Sequence, residues 1–182
     1  VPMLFIHRNH EYLDFRGHTF REFMEQGRDG HEANIGDFVL HLSTVFPDVR
    51  LKQFIEVRAA DMGSRDYVLA LPAIHAGLLY DEQALDAVLE LMSPVGPAGW
   101  DALKQAVPVG GLQTDVDGYR VSALANQLMD IACDGLGRWE PEAVHLLEPV
   151  RDAVRRGECP ADLLRQTYDG NPTTALSQTR LI

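Results

Sequence analysis

Cysteine is nearly missing from this chain. Two thiols in 182 residues, Cys133 and Cys159, supply no disulfide framework, and neither stands in a Cys-x-x-Cys or zinc-ligand spacing. Both are expected to be reduced, in a cytoplasmic protein. Positive charge is scarce too: 16 Lys and Arg face 27 Asp and Glu, for a net charge of -11. Phosphate backbones and anionic bilayers are held by basic residues clustered on a face, so this balance argues against nucleic-acid and membrane partners. No apolar run approaches the ~20 residues of a membrane-spanning helix, and the opening residues do not read as a secretory signal. Walker, Gly-x-Gly-x-x-Gly and Gly-x-Ser-x-Gly motifs are missing, which leaves P-loop or Rossmann nucleotide binding and serine hydrolysis without local support.

What is present suits a packed core, because 46% of the residues are hydrophobic. The apolar runs 3–8 and 11–15 flank Asn9-His10 and predict a β-hairpin. Thr19 followed by Glu22 has the spacing of a capping box, opening a helix that runs to about Gly27. Ile35, Phe38, Val39 and Leu42 recur at helical spacing before Pro47. Beyond Gly63 the pattern is helical. Helices are expected over 64–81, with Pro72 as a kink or first turn, and over 81–92, 99–108, 121–139, 140–157 and 160–170, followed by a polar tail at 171–182. The fold class expected is α+β in one unit: strand-rich over 1–61, helical over 62–170, then the tail. Because Val1 already opens a strand-like segment, the sequence reads as part of a longer domain.

The stretch Val49-Arg-Leu-Lys-Gln-Phe-Ile-Glu-Val-Arg-Ala-Ala-Asp61 alternates apolar and charged residues. Read as a single strand, it sends Arg50, Lys52, Phe54, Glu56 and Arg58 to one face and Val49, Leu51, Gln53, Ile55 and Val57 to the other. Alternate residues on a strand stand about 6.5 to 7 Å apart, so the charged ones can line one ligand path. Glu56 would offer oxygen to a hard cation such as Mg²⁺, while Lys52 and Arg58 would cancel charge on a transferring phosphoryl group. A solvated strand face with cross-strand ion pairs has the same pattern, and spacing alone leaves both readings standing. The histidines His7, His10, His18, His31, His75 and His145 read as structural or solvated, and His41 is singled out for its place one turn before the charged strand. Asp115-Val-Asp-Gly118 resembles the start of a calcium loop but lacks the downstream ligands, and reads as a turn.

The segments His41-Leu-Ser-Thr-Val-Phe-Pro-Asp-Val-Arg-Leu-Lys-Gln-Phe-Ile-Glu-Val-Arg58 and Ala70-Leu-Pro-Ala-Ile-His-Ala-Gly-Leu-Leu-Tyr-Asp-Glu82 resemble the C-terminal portion of glutamate-cysteine ligases of the plant and proteobacterial type. Segments 1–8, 18–23, 107–112 and 159–170 have counterparts in the same order. The resemblance covers the whole chain but only about the last two fifths of the family's length. It implies the mostly helical end of a glutamine-synthetase-like catalytic domain, with a short hairpin and one active-site strand. It also implies ATP-dependent coupling of L-glutamate to L-cysteine through a γ-glutamyl phosphate, as the first step of glutathione biosynthesis. Glu56 is then a Mg²⁺ ligand, Arg58 and Lys52 act in catalysis, and Arg50 and Arg58 contact ATP. The strand's apolar face is expected to pack on helices. The remaining site residues would lie in an N-terminal portion of the same enzyme, so this chain alone is not expected to catalyse. Departures from the family pattern fall at Ala59, at Met62-Gly63-Ser64-Arg65, at Val68 in place of a regulatory plant cysteine, and at His75 in place of tryptophan. A ligase-derived binding or regulatory module, and a ligase serving ergothioneine synthesis, are the alternatives.

Overall fold

A computed structural model of the chain describes residues 1–60 and 63–178. Contacts divide it into two compact units, Val1–Ala60 and Asp61–Ile182. The boundary falls where the sequence changes from strand-like to helical patterning. Asp61, which ends the alternating stretch, and Met62, one of the departures from the family pattern, lie outside the described residues.

In the first unit, β1 (Phe5–Arg8) and β2 (Glu11–Asp14) pair antiparallel, from Phe5 opposite Asp14 to Arg8 opposite Glu11. Asn9 and His10 turn the chain with φ of 49° and 68°, the two left-handed residues of a turn whose twist matches the strands. Helix α1 (Phe20–Gln26) opens on the expected capping box, in which Thr19 Oγ1 accepts from the Glu22 amide and the Glu22 carboxylate accepts from the Thr19 amide. Met3, Ile6, Phe15, Phe20 and Phe23 form the core of this unit, with Phe15 edge-on to Phe23 at 4.8 Å.

Helix α2 (Ile35–Ser43) starts where its periodicity predicts but ends before Thr44 rather than at Pro47, and its buried face is the polar one. Asp37 and His41 are buried, whereas Ile35, Phe38, Val39 and Leu42 are exposed. The charged segment also differs from the expected single strand. It folds back on itself as β3 (Val49–Leu51) and β4 (Ile55–Val57), antiparallel, with Arg50 opposite Glu56. The turn is closed by the Lys52 amide donating to the Phe54 carbonyl at 2.9 Å. Among the described residues of this unit no helix covers the apolar face of the hairpin, where it was expected to pack on helices: Val49, Leu51, Ile55 and Val57 are all exposed.

The second unit is built on α3 (Arg65–Leu79) and α6 (Val121–Trp139). Ala73, Met129, Ala132, Cys133, Leu136 and Leu147 form its core. Small residues bring the two helices into contact, since a Cβ on Gly77 would strike the Ala132 backbone carbonyl and one on Gly135 would strike the Gly77 carbonyl. Pro72 sits inside α3, which continues through it rather than starting there. Helix α4 (Glu82–Met92) is capped by Asp81, whose carboxylate also takes two donors from Arg138 at 2.6 and 3.0 Å. Helix α5 (Pro97–Gly110) leads to a short ribbon, β5 (Asp115–Val116) and β6 (Tyr119–Arg120), turning at Asp117-Gly118 as the turn reading requires. The single helix expected over 140–157 is broken into a 3-10 segment, Pro141–Leu147, and α7 (Glu148–Arg156). Pro149 marks the change: it lacks an amide donor and fits the first turn of a new helix. Helix α8 (Pro160–Thr167) follows, and the expected polar tail forms α9 (Pro172–Gln178).

Candidate anion-binding hairpin

The β3–β4 ribbon gathers three cations around one carboxylate. Glu56 has Lys52 Nζ at 3.4 Å, Arg58 Nη1 at 3.4 Å and Arg50 Nη1 at 3.8 Å. Each contact has a backbone cause. Arg50 faces Glu56 across the ladder, Arg58 lies two residues along the same strand face, and the turn brings Lys52 round to the same side. A single strand would have spaced these groups along a line; the hairpin folds them onto one point. Arg50 Nη2 also donates to the Val45 carbonyl at 3.5 Å, and the Arg58 guanidinium lies over the Phe46 ring, 5.0 Å from its centroid.

The charges of these four side chains sum to +2, in a chain whose net charge is -11. Two unit charges 4 Å apart interact by about 1 kcal/mol in water and about 4 kcal/mol at the effective dielectric of a protein surface. Three cations this close repel one another, and one carboxylate offsets only part of that. An incoming polyanion relieves the remainder. Glu56 Oε2 and Arg50 Nε are buried without a hydrogen-bond partner, so both retain bonding capacity.

Of the oxygen ligands a Mg²⁺ ion takes, this point supplies Glu56. The ion needs near-octahedral oxygen ligands at about 2.0 to 2.1 Å. Among the described residues, Glu56 is the carboxylate these three cations surround, and no group of three or more His, Cys, Asp or Glu is placed to hold a metal. His7 and His10, the nearest histidine pair to a turn, meet edge to face at 6.3 Å, and His75 and His145 each engage a carbonyl of their own helical segment.

Sequence reasoning missed a second constellation in this unit. Arg8 of β1 donates to both carboxylate oxygens of Asp37 in α2, at 2.5 and 2.6 Å, and to the carbonyls of His7 and Glu32. Asp37 closes a capping box with Asn34, accepting from the Asn34 amide at 3.0 Å while Asn34 Oδ1 accepts from the Asp37 amide. The Arg8 hydrogen bonds hold the Asp37 carboxyl below its ordinary range, against the opposing effect of burial. The pair forms part of a cleft of ≈ 550 Å³ lined also by His7, Tyr12 and Leu40. The Asn-x-x-Asp spacing at 34–37 was the available signal for the cap; nothing local pointed to Arg8. His41, singled out from sequence, is buried and stacks on Phe20 at 5.5 Å, with Nδ1 unpartnered. It is a packing residue.

Comparison with known proteins gives one consistent result. A model of glutamate-cysteine ligase family 2 (GCS2) matches residues 2–179. The chloroplastic glutamate-cysteine ligase of Brassica juncea is 40% identical over 174 residues, covering 93% of this chain and 34% of the relative. That of Arabidopsis thaliana is 38% identical, covering 93% and 33%. Glutamate-cysteine ligase A of Oryza sativa subsp. indica is 38% identical, covering 93% and 35%. The chain spans about a third of the length of these curated relatives.

Proposed function

We propose that this chain, which belongs to glutamate-cysteine ligase family 2, supplies the phosphate-binding hairpin of an ATP-dependent ligase joining L-glutamate to L-cysteine. The observation that carries this reading is the convergence of Arg50, Lys52 and Arg58 on Glu56. In the reaction, the glutamate γ-carboxylate takes the γ-phosphoryl group of ATP, giving an acyl phosphate and ADP. The cysteine amine then attacks the carbonyl carbon, forming the amide and releasing phosphate. The product is γ-glutamylcysteine, the precursor in glutathione biosynthesis.

Phosphoryl transfer to a carboxylate brings two anions together, so its catalysts are cations fixed before the reactants arrive. Arg58 and Lys52 would neutralise charge on the transferring group, and Arg50 and Arg58 would grip the polyphosphate. Glu56 acts as the counter-ion that holds the three in place before a ligand arrives, in preference to the metal role the resemblance assigns it. The ribbon would then form part of a glutamine-synthetase-like catalytic sheet, with other substrate contacts supplied by the rest of the ligase.

Turnover of the ligase expressed from its complete gene tests the reading. Arg58→Lys should lower γ-glutamylcysteine formation from ATP, glutamate and cysteine at least tenfold, because a planar fork grips two oxygens and an ammonium does not. A rate near that of the parent enzyme for both Arg58→Lys and Lys52→Met would contradict it.

A further inference from the structure

The cation cluster does not stand alone on its face. Phe46, in the loop between α2 and β3, is 72% exposed, the most of the seven phenylalanines. Its ring is nevertheless anchored. The Arg58 guanidinium lies over it at 5.0 Å, and the same guanidinium reaches Glu56. Arg50 ties the preceding carbonyl, that of Val45, to β3. Pro47 follows and restricts the backbone of Phe46 to extended conformations. An aromatic ring is thus held against Arg58, one of the three cations of the cluster, with most of its surface open to solvent.

We propose that Phe46 is the platform on which the base of a nucleoside triphosphate stacks while Arg50, Lys52 and Arg58 hold its phosphates. This rests on the phosphate-binding reading above. A nucleotide is an aromatic plane joined to a polyanion, and the hairpin presents an aromatic plane joined to a polycation. Arg58 would serve both halves, since its guanidinium lies over the ring and its Nη1 reaches the Glu56 carboxylate at the centre of the cation cluster. Stacking depends on a π-face that every base has, so the platform selects for a base without selecting which one. Phe54, an exposed aromatic in the turn of the hairpin, lies farther from its cation, with Lys52 Nζ 5.9 Å from its centroid. It is the comparison residue.

Calorimetric titration of the 182-residue chain with ATP, GTP and methyl triphosphate, which has the triphosphate without the base, separates the two halves. ATP and GTP are expected to bind about tenfold more tightly than methyl triphosphate. Phe46→Ala should bring ATP down to the affinity of methyl triphosphate and leave methyl triphosphate unchanged, and Phe46→Trp should keep the difference. Thermal melting of each variant should match the parent, since the ring contributes little to the core. If methyl triphosphate binds but Phe46→Ala leaves the ATP preference intact, or Phe54→Ala removes it instead, the platform assignment is overturned while the phosphate site stands. If methyl triphosphate does not bind at all, the phosphate-binding reading fails and this inference fails with it.

Discussion

Arg8 and Asp37, 29 residues apart, are joined by two parallel hydrogen bonds of 2.5 and 2.6 Å that fix the β1–β2 hairpin to the first turn of α2. Asp37 is only 3% exposed, and every partner it has depends on its being ionised or on the helix start it caps. Asp37→Asn keeps the shape and removes the charge. It should destabilise the unit by roughly 2–3 kcal/mol, because Arg8 is left partly buried without its counter-ion. Urea denaturation followed by far-UV circular dichroism measures this, and a loss below ~0.5 kcal/mol would mean that the pair is incidental.

His41 gives the same unit a pH dependence. Burial of the ring holds its pKa below the ordinary value of 6.5. The unfolded chain therefore takes up a proton near pH 6.5 while the folded one does not, and stability is lost as pH falls through the folded value. Asp37, with its lowered pKa, adds a second loss as pH falls below the unfolded carboxyl value of about 3.9. His41→Phe, which keeps the stack on Phe20, should abolish the first loss and keep the second in thermal melts from pH 8 to 3.

The contact of α3 with α6 depends on two positions without side chains. Gly77→Ala places a methyl group against the Ala132 backbone carbonyl, which cannot rotate away as a side-chain end could. The helices must separate, at a cost of about 1–3 kcal/mol or more. Thermal denaturation should show a clear drop in Tm. A drop of equal size for Gly137→Ala, where the nearest atom is a Val144 methyl carbon at 3.8 Å, would argue against close helix packing as the cause.

Glu56→Gln separates a counter-ion from a metal ligand. Removing one negative charge beside bound phosphates should tighten tripolyphosphate binding about threefold in the absence of metal, by a Coulomb gain of somewhat under 1 kcal/mol. A metal ligand at this position would give the reverse, with binding that needs Mg²⁺ and weakens in the variant. Calorimetry with and without Mg²⁺ distinguishes the two.

Local signals carried much of the fold. The Asn9-His10 turn and the Thr19/Glu22 cap were legible because each is decided by residues within a few positions of one another. The β3–β4 reversal was not. Lys52, Gln53 and Phe54 include no glycine, proline or asparagine to mark a turn, so the alternation read as one strand. The face that α2 buries was hidden for another reason. Periodicity locates a stripe of apolar residues, but Asp37 is drawn inward by Arg8, a partner distant in sequence. The charged residues of the hairpin were legible as a group; their convergence on Glu56 depended on the fold.

Titration of the 182-residue chain with inorganic tripolyphosphate is the most direct test of the hairpin as an anion site. One ligand should bind per chain, with affinity falling as salt rises from 50 to ~300 mM, and falling severalfold further in each of Arg50→Ala, Lys52→Ala and Arg58→Ala. Binding that is absent from the parent chain, or that survives unchanged when all three cations are replaced together, would contradict the account.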